Sequence, residues 1–197
     1  NLSVIGSHTV NGVSRLHSDI LKETVFEDYN DMYPERFTNV TNGIAHRKWL
    51  CYSNPKLAKL LDETIGKGYR SDASELSKFA AFADDASVLA KLDEIKKANK
   101  VDFANYLKKT KGVVIDPNTV FDVQAKRLHE YKRQLLNVLH IINDYLILKE
   151  NPDTPMQPKT YIFAAKAAAG YYMAKKIIKL ICFLAEDIRK NPKIAEK

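Results

Sequence analysis

The sequence predicts an α/β protein with a Rossmann-like, doubly wound parallel sheet and a helical insertion. Two stretches support this prediction, because each begins as a short apolar strand and continues as an amphipathic helix: 120–123 with 128–149, and 160–165 with 171–189. Alternation of this kind indicates parallel strands joined by right-handed crossovers. Because two strands do not complete such a sheet, we expect the chain to be an internal fragment of a longer protein.

The first 42 residues carry a third strand–loop–helix pattern. Residues 2–5 are predicted to form a short buried strand, with His8 in the loop at its carboxyl end. Apolar residues at helical spacing then predict a helix over 13–21. A second helix over 26–33 is expected to end at Pro34, because proline lacks the N–H that continues a helix. Residues 37–41 are expected to be extended.

The middle of the chain is predicted to be helical. A helix begins near Ile44, and the run Ser53-Asn54-Pro55 combines capping residues with proline at a first helical position. Further helices are expected over 71–82 and after Asp85. Their many lysines are interpreted as a solvated face: Lys96, Lys97, Lys100, Lys108, Lys109 and Lys111.

Composition indicates one large soluble domain or parts of two. The chain has 197 residues, of which 45% are hydrophobic and 28% charged, and it carries a formal charge of +7. This charge favours either a polyanion as partner or a basic part of a larger, less basic protein. Cys51 and Cys182 are expected to be buried free thiols in a reducing compartment. The sequence shows no membrane-spanning apolar run and no metal-ligand spacing.

Several cations lie between the strand at 120–123 and the helix that follows it. Lys126, Arg127 and Lys132 would stand at the carboxyl end of a strand and at a helix N-terminus, where anions such as phosphate bind. The alternative interpretation is a solvated helix face. Arg127 and Lys132 are five residues apart, so they can meet only if Arg127 precedes the regular helix.

The same stretch resembles a known family. The run KRLHEYKRQLLN at residues 126–137 is similar to the phosphate-site signature of the glycogen, starch and maltodextrin phosphorylases. Two other segments resemble the same family: GSHTVNGV at 6–13 and TNGIAHRKWL at 41–50. The run AAKAAAGY at 164–171 departs from it, because Ala164 and Ala165 replace glycines and Ala169 replaces proline.

The resemblance implies a two-domain GT-B glycosyltransferase that cleaves terminal α-1,4 glucosyl bonds with phosphate and releases glucose 1-phosphate. It implies pyridoxal phosphate as cofactor, anchored by a lysine from a segment that this sequence does not contain. Carried over, the site residues are Arg127 and Lys132 on the substrate phosphate, Lys126 and Trp49 near the cofactor, Tyr131 and Asn42 on the substrate, and His8 at the sugar's 6-hydroxyl.

The resemblance also implies a domain division and a setting. Residues 1–42 would end an N-terminal domain, and 43–197 would begin the C-terminal, cofactor-binding domain. The full-length protein would be a cytoplasmic homodimer that acts on α-glucan and phosphate, without nucleic acid, membrane or metal.

Three other functions stay open at this point. The first is another GT-B enzyme, such as a nucleotide-sugar synthase, which would need no pyridoxal phosphate. The second is a basic helical module for nucleic acid or another polyanion, whose binding would depend steeply on salt. The third is a structural piece with apolar surface that associates with itself.

Overall fold

The computed structural model describes residues 1–197, which form two compact units, Asn1–Lys91 and Leu92–Lys197. Each unit contains one pair of parallel strands. The strands are β1 (Val10–Gly12), β2 (Phe37–Asn39), β3 (Val120–Ala125) and β4 (Lys159–Ala164). The coarse prediction of a mixed α/β protein with parallel strands is confirmed.

The α-helices are α1 (Leu2–Ile5), α2 (Arg15–Ile20), α3 (Glu27–Met32), α4 (Pro55–Thr64), α5 (Ala86–Lys111), α6 (Gln134–Glu150), α7 (Tyr172–Arg189) and α8 (Pro192–Ala195). Two π-helical segments cover Leu21–Val25 and Arg47–Tyr52. The 3₁₀-helices are Pro34–Arg36, Gly68–Arg70, Ala73–Phe82 and Glu130–Lys132.

In the first unit, β1 and β2 pair in parallel, with Val10 opposite Phe37. The pairing continues past the strands, because the Asn42 N–H donates to the Val13 carbonyl at 3.0 Å. Helix α2 lies close against Gly12, where a Cβ would stand only 2.0 Å from the Ser18 hydroxyl oxygen. Glycine therefore permits the close approach that buries Ser18.

The prediction for residues 2–5 is wrong, because they form helix α1 rather than a buried strand. A strand needs a neighbouring strand for its backbone groups. Here the N–H groups of Val4 and Ile5 donate to the Asn1 carbonyl instead, and Leu2 is 87% exposed. The local helical bonds satisfy the backbone without a partner strand.

Helix α4 begins as the sequence predicts. The Asn54 side chain accepts from the Leu57 N–H at 3.3 Å, and Pro55 is the first helical residue. The helix ends before Gly66, which has a φ of +77°. Its inner face forms the core of this part of the first unit with Tyr69: Ala58, Leu60 and Leu61.

Helix α5 also starts at its predicted cap, since the Asp85 carboxylate accepts from the N–H groups of Ser87 and Val88. One lysine departs from the predicted solvated face. Lys100 is half-buried, its ammonium donates to the Thr119 carbonyl at 2.8 Å, and it lies 4.9 Å from the Phe121 ring centre. Lys100 therefore joins α5 to the start of β3.

In the second unit, β3 and β4 pair in parallel from Val120 opposite Lys159 to Ala125 opposite Ala164. Helix α6 follows β3 and α7 follows β4, which confirms the predicted strand–helix–strand–helix order. Two clusters of buried side chains hold these elements together: Leu128, Ala174 and Ile177 in one, and Tyr145, Leu148 and Ile194 in the other.

The predicted start of α6 is wrong, and the leucines that recur at helical spacing in its sequence are not its buried face. The helix begins at Gln134 rather than Leu128, because Arg133 takes a left-handed conformation with a φ of 60°. Its buried residues are Gln134, Val138, Ile141, Tyr145 and Leu148. Four leucines at helical spacing within the helix are exposed instead: Leu135, Leu136, Leu139 and Leu146.

Both cysteines are free thiols, as predicted, but they are not both buried. Cys51 is half-buried and Cys182, on α7, is exposed. None of the helices has the length and apolar character needed to cross a membrane.

Candidate functional site

The predicted cations lie in the cation loop, residues 126–133, which joins β3 to α6. Lys126 and Arg127 follow β3 directly and are exposed, whereas Lys132 is half-buried in the 3₁₀-helix. Arg127 precedes the regular helix, so the requirement for Arg127 and Lys132 to meet at one site is fulfilled. Lys166 follows the parallel neighbour β4 by two residues. The carboxyl ends of both strands therefore carry positive charge.

The backbone of the cation loop is fixed at its centre. The Leu128 N–H donates to the Lys166 carbonyl at 3.1 Å, which ties the loop to the segment after β4. The Leu128 side chain is 1% exposed and packs against Ala174 and Ile177 of α7. The neighbouring cationic side chains thus project from an anchored backbone.

A second attachment joins the cation loop to Tyr171, just before α7. The Tyr171 hydroxyl donates to the Glu130 carboxylate at 2.8 Å and accepts from the Glu130 N–H at 3.2 Å. The ring of His129 lies 5.5 Å from that of Tyr131 and 5.7 Å from that of Tyr171. The only carboxylate of the loop is therefore engaged by a phenol and not by a loop cation.

Tyr131 stands at the outside of the cation loop and is 76% exposed. The Lys132 ammonium lies 5.6 Å from the centre of its ring. An exposed phenol beside an ammonium can donate a hydrogen bond to an anion or a sugar hydroxyl, while the ammonium supplies charge.

The other predicted site residues belong to the first unit. Asn42 follows β2 at the carboxyl end of its parallel pair, and its side chain is exposed. His8 is also exposed, but it comes before β1 and so lies at the opposite, amino end of the pair. Its predicted position at a strand's carboxyl end is wrong, because residues 2–5 are helical.

Trp49 lies in the π-helical segment Arg47–Tyr52 and is 66% exposed. Its segment is attached to the turn around Tyr69 by two bonds: a His46 ring nitrogen lies 2.9 Å from the Tyr69 carbonyl, and the Arg47 guanidinium donates to the Arg70 carbonyl at 3.0 Å. The exposed indole therefore belongs to a segment that these two hydrogen bonds fix to the rest of the first unit.

The turn that holds the Trp49 segment is itself fixed by a cluster of an ion pair and a buried phenol: Arg70, Asp62 and Tyr69. The Arg70 guanidinium donates to both oxygens of Asp62, at 3.1 and 2.8 Å, and holds the pKa of that carboxyl below its usual value. Burial, together with hydrogen bonds to Cys51 and Asp62, raises the pKa of the Tyr69 phenol to about 12. At neutral pH Tyr69 is neutral and Asp62 is ionised, so the phenol can donate to the carboxylate.

Sequence reasoning missed Gln134, whose amide nitrogen donates to the Arg127 carbonyl at 3.2 Å. A signal was present, because Gln134 continues the true buried face four residues before Val138. It also missed the bond between Glu130 and Tyr171. No local pattern indicates that bond, since the two residues are 41 positions apart.

The fold and the cation loop together define a class: an α/β protein that gathers cations at the carboxyl ends of parallel strands, where such sheets bind ligands. A sequence profile described as carbohydrate phosphorylase matches residues 1–197. The chain therefore belongs to the carbohydrate phosphorylase family.

Individual relatives agree with the profile. The chain is 47% identical over 197 residues to the liver form of glycogen phosphorylase from Ovis aries, which covers 100% of this chain and 23% of that protein. It is 48% identical over 193 residues to glycogen phosphorylase from Haemophilus influenzae, covering 98% of this chain and 24% of that protein. The chain thus spans about a quarter of the length of the relatives it matches.

Proposed function

We propose that the full-length protein is an α-glucan phosphorylase, a glycosyltransferase that cleaves terminal α-1,4 glucosyl bonds with inorganic phosphate and releases glucose 1-phosphate. Family membership over the whole chain supports this proposal. The observation that carries it is the cation loop, which presents Lys126, Arg127 and Lys132 from an anchored backbone beside the carboxyl ends of two parallel strands.

In this proposal Arg127 and Lys132 bind the substrate phosphate. Arg127 and Lys132 are cations of one short loop, and a bound phosphate dianion would offset the repulsion between them. Arginine adds a planar fork that suits phosphate oxygens, and lysine adds a point charge. The loop thereby orients a nucleophile that is poorly placed when free in water.

Tyr131, Asn42 and His8 are proposed to contact the substrate. The exposed phenol of Tyr131 would donate to a phosphate oxygen or a sugar hydroxyl, and the exposed amide of Asn42 would hydrogen-bond the glucosyl unit. His8 would contact the 6-hydroxyl.

Pyridoxal phosphate is the proposed cofactor of the full-length protein, and residues of this chain fit its phosphate group. The ammonium of Lys126 is exposed directly after β3 and has the charge that a phosphate needs, while Trp49 offers an exposed ring. When bound, the cofactor supplies a proton relay through its phosphate group. Lys126 would hold that group, and the anchoring lysine would come from a segment that this sequence does not contain.

The proposal extends to the organisation of the protein. Residues 1–42 would close the N-terminal domain of a GT-B fold, and 43–197 would begin the C-terminal domain. The protein would be a cytoplasmic homodimer whose partners are α-glucan and inorganic phosphate, with no nucleic acid or membrane.

The test measures glucose 1-phosphate release from maltodextrin and phosphate by the full-length, cofactor-loaded protein. Lys132→Ala is expected to lower kcat/KM for phosphate by about 10²–10³, the usual cost of losing one preorganised charge contact. Lys108→Ala on α5 removes the same charge from an exposed helix position and should leave kcat/KM within about twofold of wild type.

Three outcomes would contradict the proposal in different ways. No release by the wild-type protein would favour another GT-B glycosyltransferase. Equal activity of wild type and Lys132→Ala would remove the phosphate role from the cation loop. Steep salt dependence of polyanion binding without phosphorolysis would favour a basic binding module.

A further inference from the structure

Gln134 is a buried polar side chain at the first position of α6. It is 1% exposed, and its amide nitrogen donates to the carbonyl of Arg127, seven residues earlier, at 3.2 Å. Its amide oxygen is also buried and has no hydrogen-bond partner. This side chain therefore makes one bond, and that bond ends on the backbone of a cation-loop residue.

The stability of α6 does not explain a glutamine at this position. The buried face of the helix is otherwise made of Val138, Ile141, Tyr145 and Leu148, and a leucine at 134 would extend it without an unpaired oxygen. Gln134→Leu removes a buried acceptor that has no partner, which is favourable, and removes the donor to the Arg127 carbonyl, which is unfavourable. These two effects on the free energy of unfolding oppose each other. The hydrogen bond to Arg127 is what a leucine could not supply.

The Arg127 backbone depends on two bonds for its position. The Gln134 amide holds its carbonyl, and the N–H of the next residue, Leu128, donates to the Lys166 carbonyl at 3.1 Å. The Arg127 side chain is exposed, so the peptide units on either side fix the direction of its Cα–Cβ bond, from which the guanidinium extends. Without the Gln134 bond, the peptide unit after Arg127 would be held only through its nitrogen.

We propose that Gln134 is a positioning residue, which fixes the Arg127 carbonyl and with it the point on the backbone from which the Arg127 guanidinium reaches phosphate. This proposal rests on the phosphorylase function proposed above and deepens it. Gln134 touches neither substrate nor cofactor in this assignment, and it acts through Arg127 alone.

The first test compares Gln134→Leu with wild type in the full-length, cofactor-loaded protein, with inorganic phosphate as the probe. Calorimetry gives the dissociation constant of phosphate, and initial rates give KM for phosphate and kcat. We expect the dissociation constant and KM to rise about tenfold, while kcat at saturating phosphate and the melting temperature stay near wild type. If Gln134 only stabilised the fold, Gln134→Leu would lower the melting temperature and leave KM for phosphate unchanged.

The second test uses pH to restore the hydrogen bond. In Gln134→Glu, a protonated carboxyl can donate to the Arg127 carbonyl, whereas the ionised form cannot and is repelled by that oxygen. Burial raises the pKa of a carboxyl, so both forms become accessible in an ordinary pH range. The ratio of the variant's dissociation constant to that of wild type should approach one at low pH and rise as pH increases. Taking the ratio at each pH removes the titration of phosphate itself.

The matched control is Tyr145→Phe, on the same buried face of α6. It removes a hydroxyl that donates to Asp187 at 2.8 Å and accepts from Asn191, away from the cation loop. This variant is expected to lower the melting temperature without changing the dissociation constant of phosphate.

The role of Gln134 is overturned if Gln134→Leu binds phosphate as wild type does, or if the Gln134→Glu ratio does not change with pH. If Gln134→Leu does not fold, the pH series of the near-isosteric Gln134→Glu variant decides alone. Phosphate binding is read without turnover. A wild-type protein that binds phosphate but releases no glucose 1-phosphate would therefore overturn the phosphorylase function, while the binding data still decide the role of Gln134.

Discussion

Tyr69 shows how one buried residue supports a segment that the sequence marks only by resemblance. Its side chain is fully buried, and its hydroxyl lies 3.1 Å from an Asp62 carboxylate oxygen and 3.3 Å from the Ala58 carbonyl. Its own carbonyl faces His46, three residues before Trp49. The position of Trp49 thus depends on a tyrosine that lies outside the segments that resemble the family.

The Tyr69 phenol should make the chain less stable at alkaline pH. Its pKa of about 12 in the folded chain exceeds the ordinary value of 10.0, so folding favours the protonated form. Above pH 10 the unfolded chain releases this proton first, and the free energy of unfolding should fall as pH rises from about 10 to about 12. Urea unfolding of the chain across this range measures the fall, and Tyr69→Phe should make it shallower. An equal slope in both proteins would contradict the assignment.

At the scale of the element, Arg133 separates the cation loop from α6. It is the one residue other than glycine with a positive φ, 60°, and a left-handed conformation costs an ordinary residue about 1–2 kcal/mol. Arg133→Gly should leave the free energy of unfolding equal or up to about 1 kcal/mol higher, because glycine also gains freedom in the unfolded chain. Arg133→Val should lower it by at least about 1 kcal/mol, because a β-branched residue fits this region worst.

Glu150→Val is the control for this prediction. Glu150 is the exposed last residue of the same helix, where valine costs only its lower helix propensity, about 0.5 kcal/mol. Urea unfolding of the three variants and wild type gives the comparison. If valine lowers the free energy of unfolding no more at position 133 than at position 150, the backbone of Arg133 is not strained.

The same helix shows what sequence could and could not predict. The strands β3 and β4, their parallel pairing and the helices after them were predictable, because continuous apolar runs alternate with helical periodicity. The face of α6 was not, since Leu135, Leu136, Val138 and Ile141 place apolar residues almost all around the helix. The choice between faces came from tertiary packing, namely from the contact of Tyr145 and Leu148 with Ile194.

The candidate site divides in the same way. The identity of its cations followed from a local run of residues, and so did the expectation that Arg127 lies outside the helix. The bonds from Gln134 to Arg127 and from Glu130 to Tyr171 are made across the fold, so no spacing rule could supply them. The prediction of a strand at residues 2–5 was wrong for a related reason. A strand needs a neighbouring strand for its backbone hydrogen bonds, and an apolar run alone does not show that a neighbour is present.

At the scale of the whole molecule, the leucine face of α6 should drive association. Leu135, Leu136, Leu139 and Leu146 are exposed on one helix, and contiguous apolar surface of this kind promotes contact between molecules. Light scattering of the purified chain should show an average mass that rises with concentration. The double variant Leu136→Glu with Leu139→Glu should reduce the rise, whereas Lys108→Glu with Lys109→Glu should not. Equal masses for both double variants would contradict a role for this face.

The purified 197-residue chain is expected to catalyse no phosphorolysis, even with pyridoxal phosphate, phosphate and maltodextrin supplied. The cation loop presents charges for phosphate. The resemblance to the family implies, however, that the lysine that anchors the cofactor lies in a segment that this sequence does not contain. Orientation of the reacting groups contributes a large part of such a rate, and an unanchored cofactor is not oriented. Glucose 1-phosphate release is the assay, and the full-length protein is the positive control. Measurable release by the chain alone would show that anchoring is not required, and the role proposed for the absent segment would then be wrong.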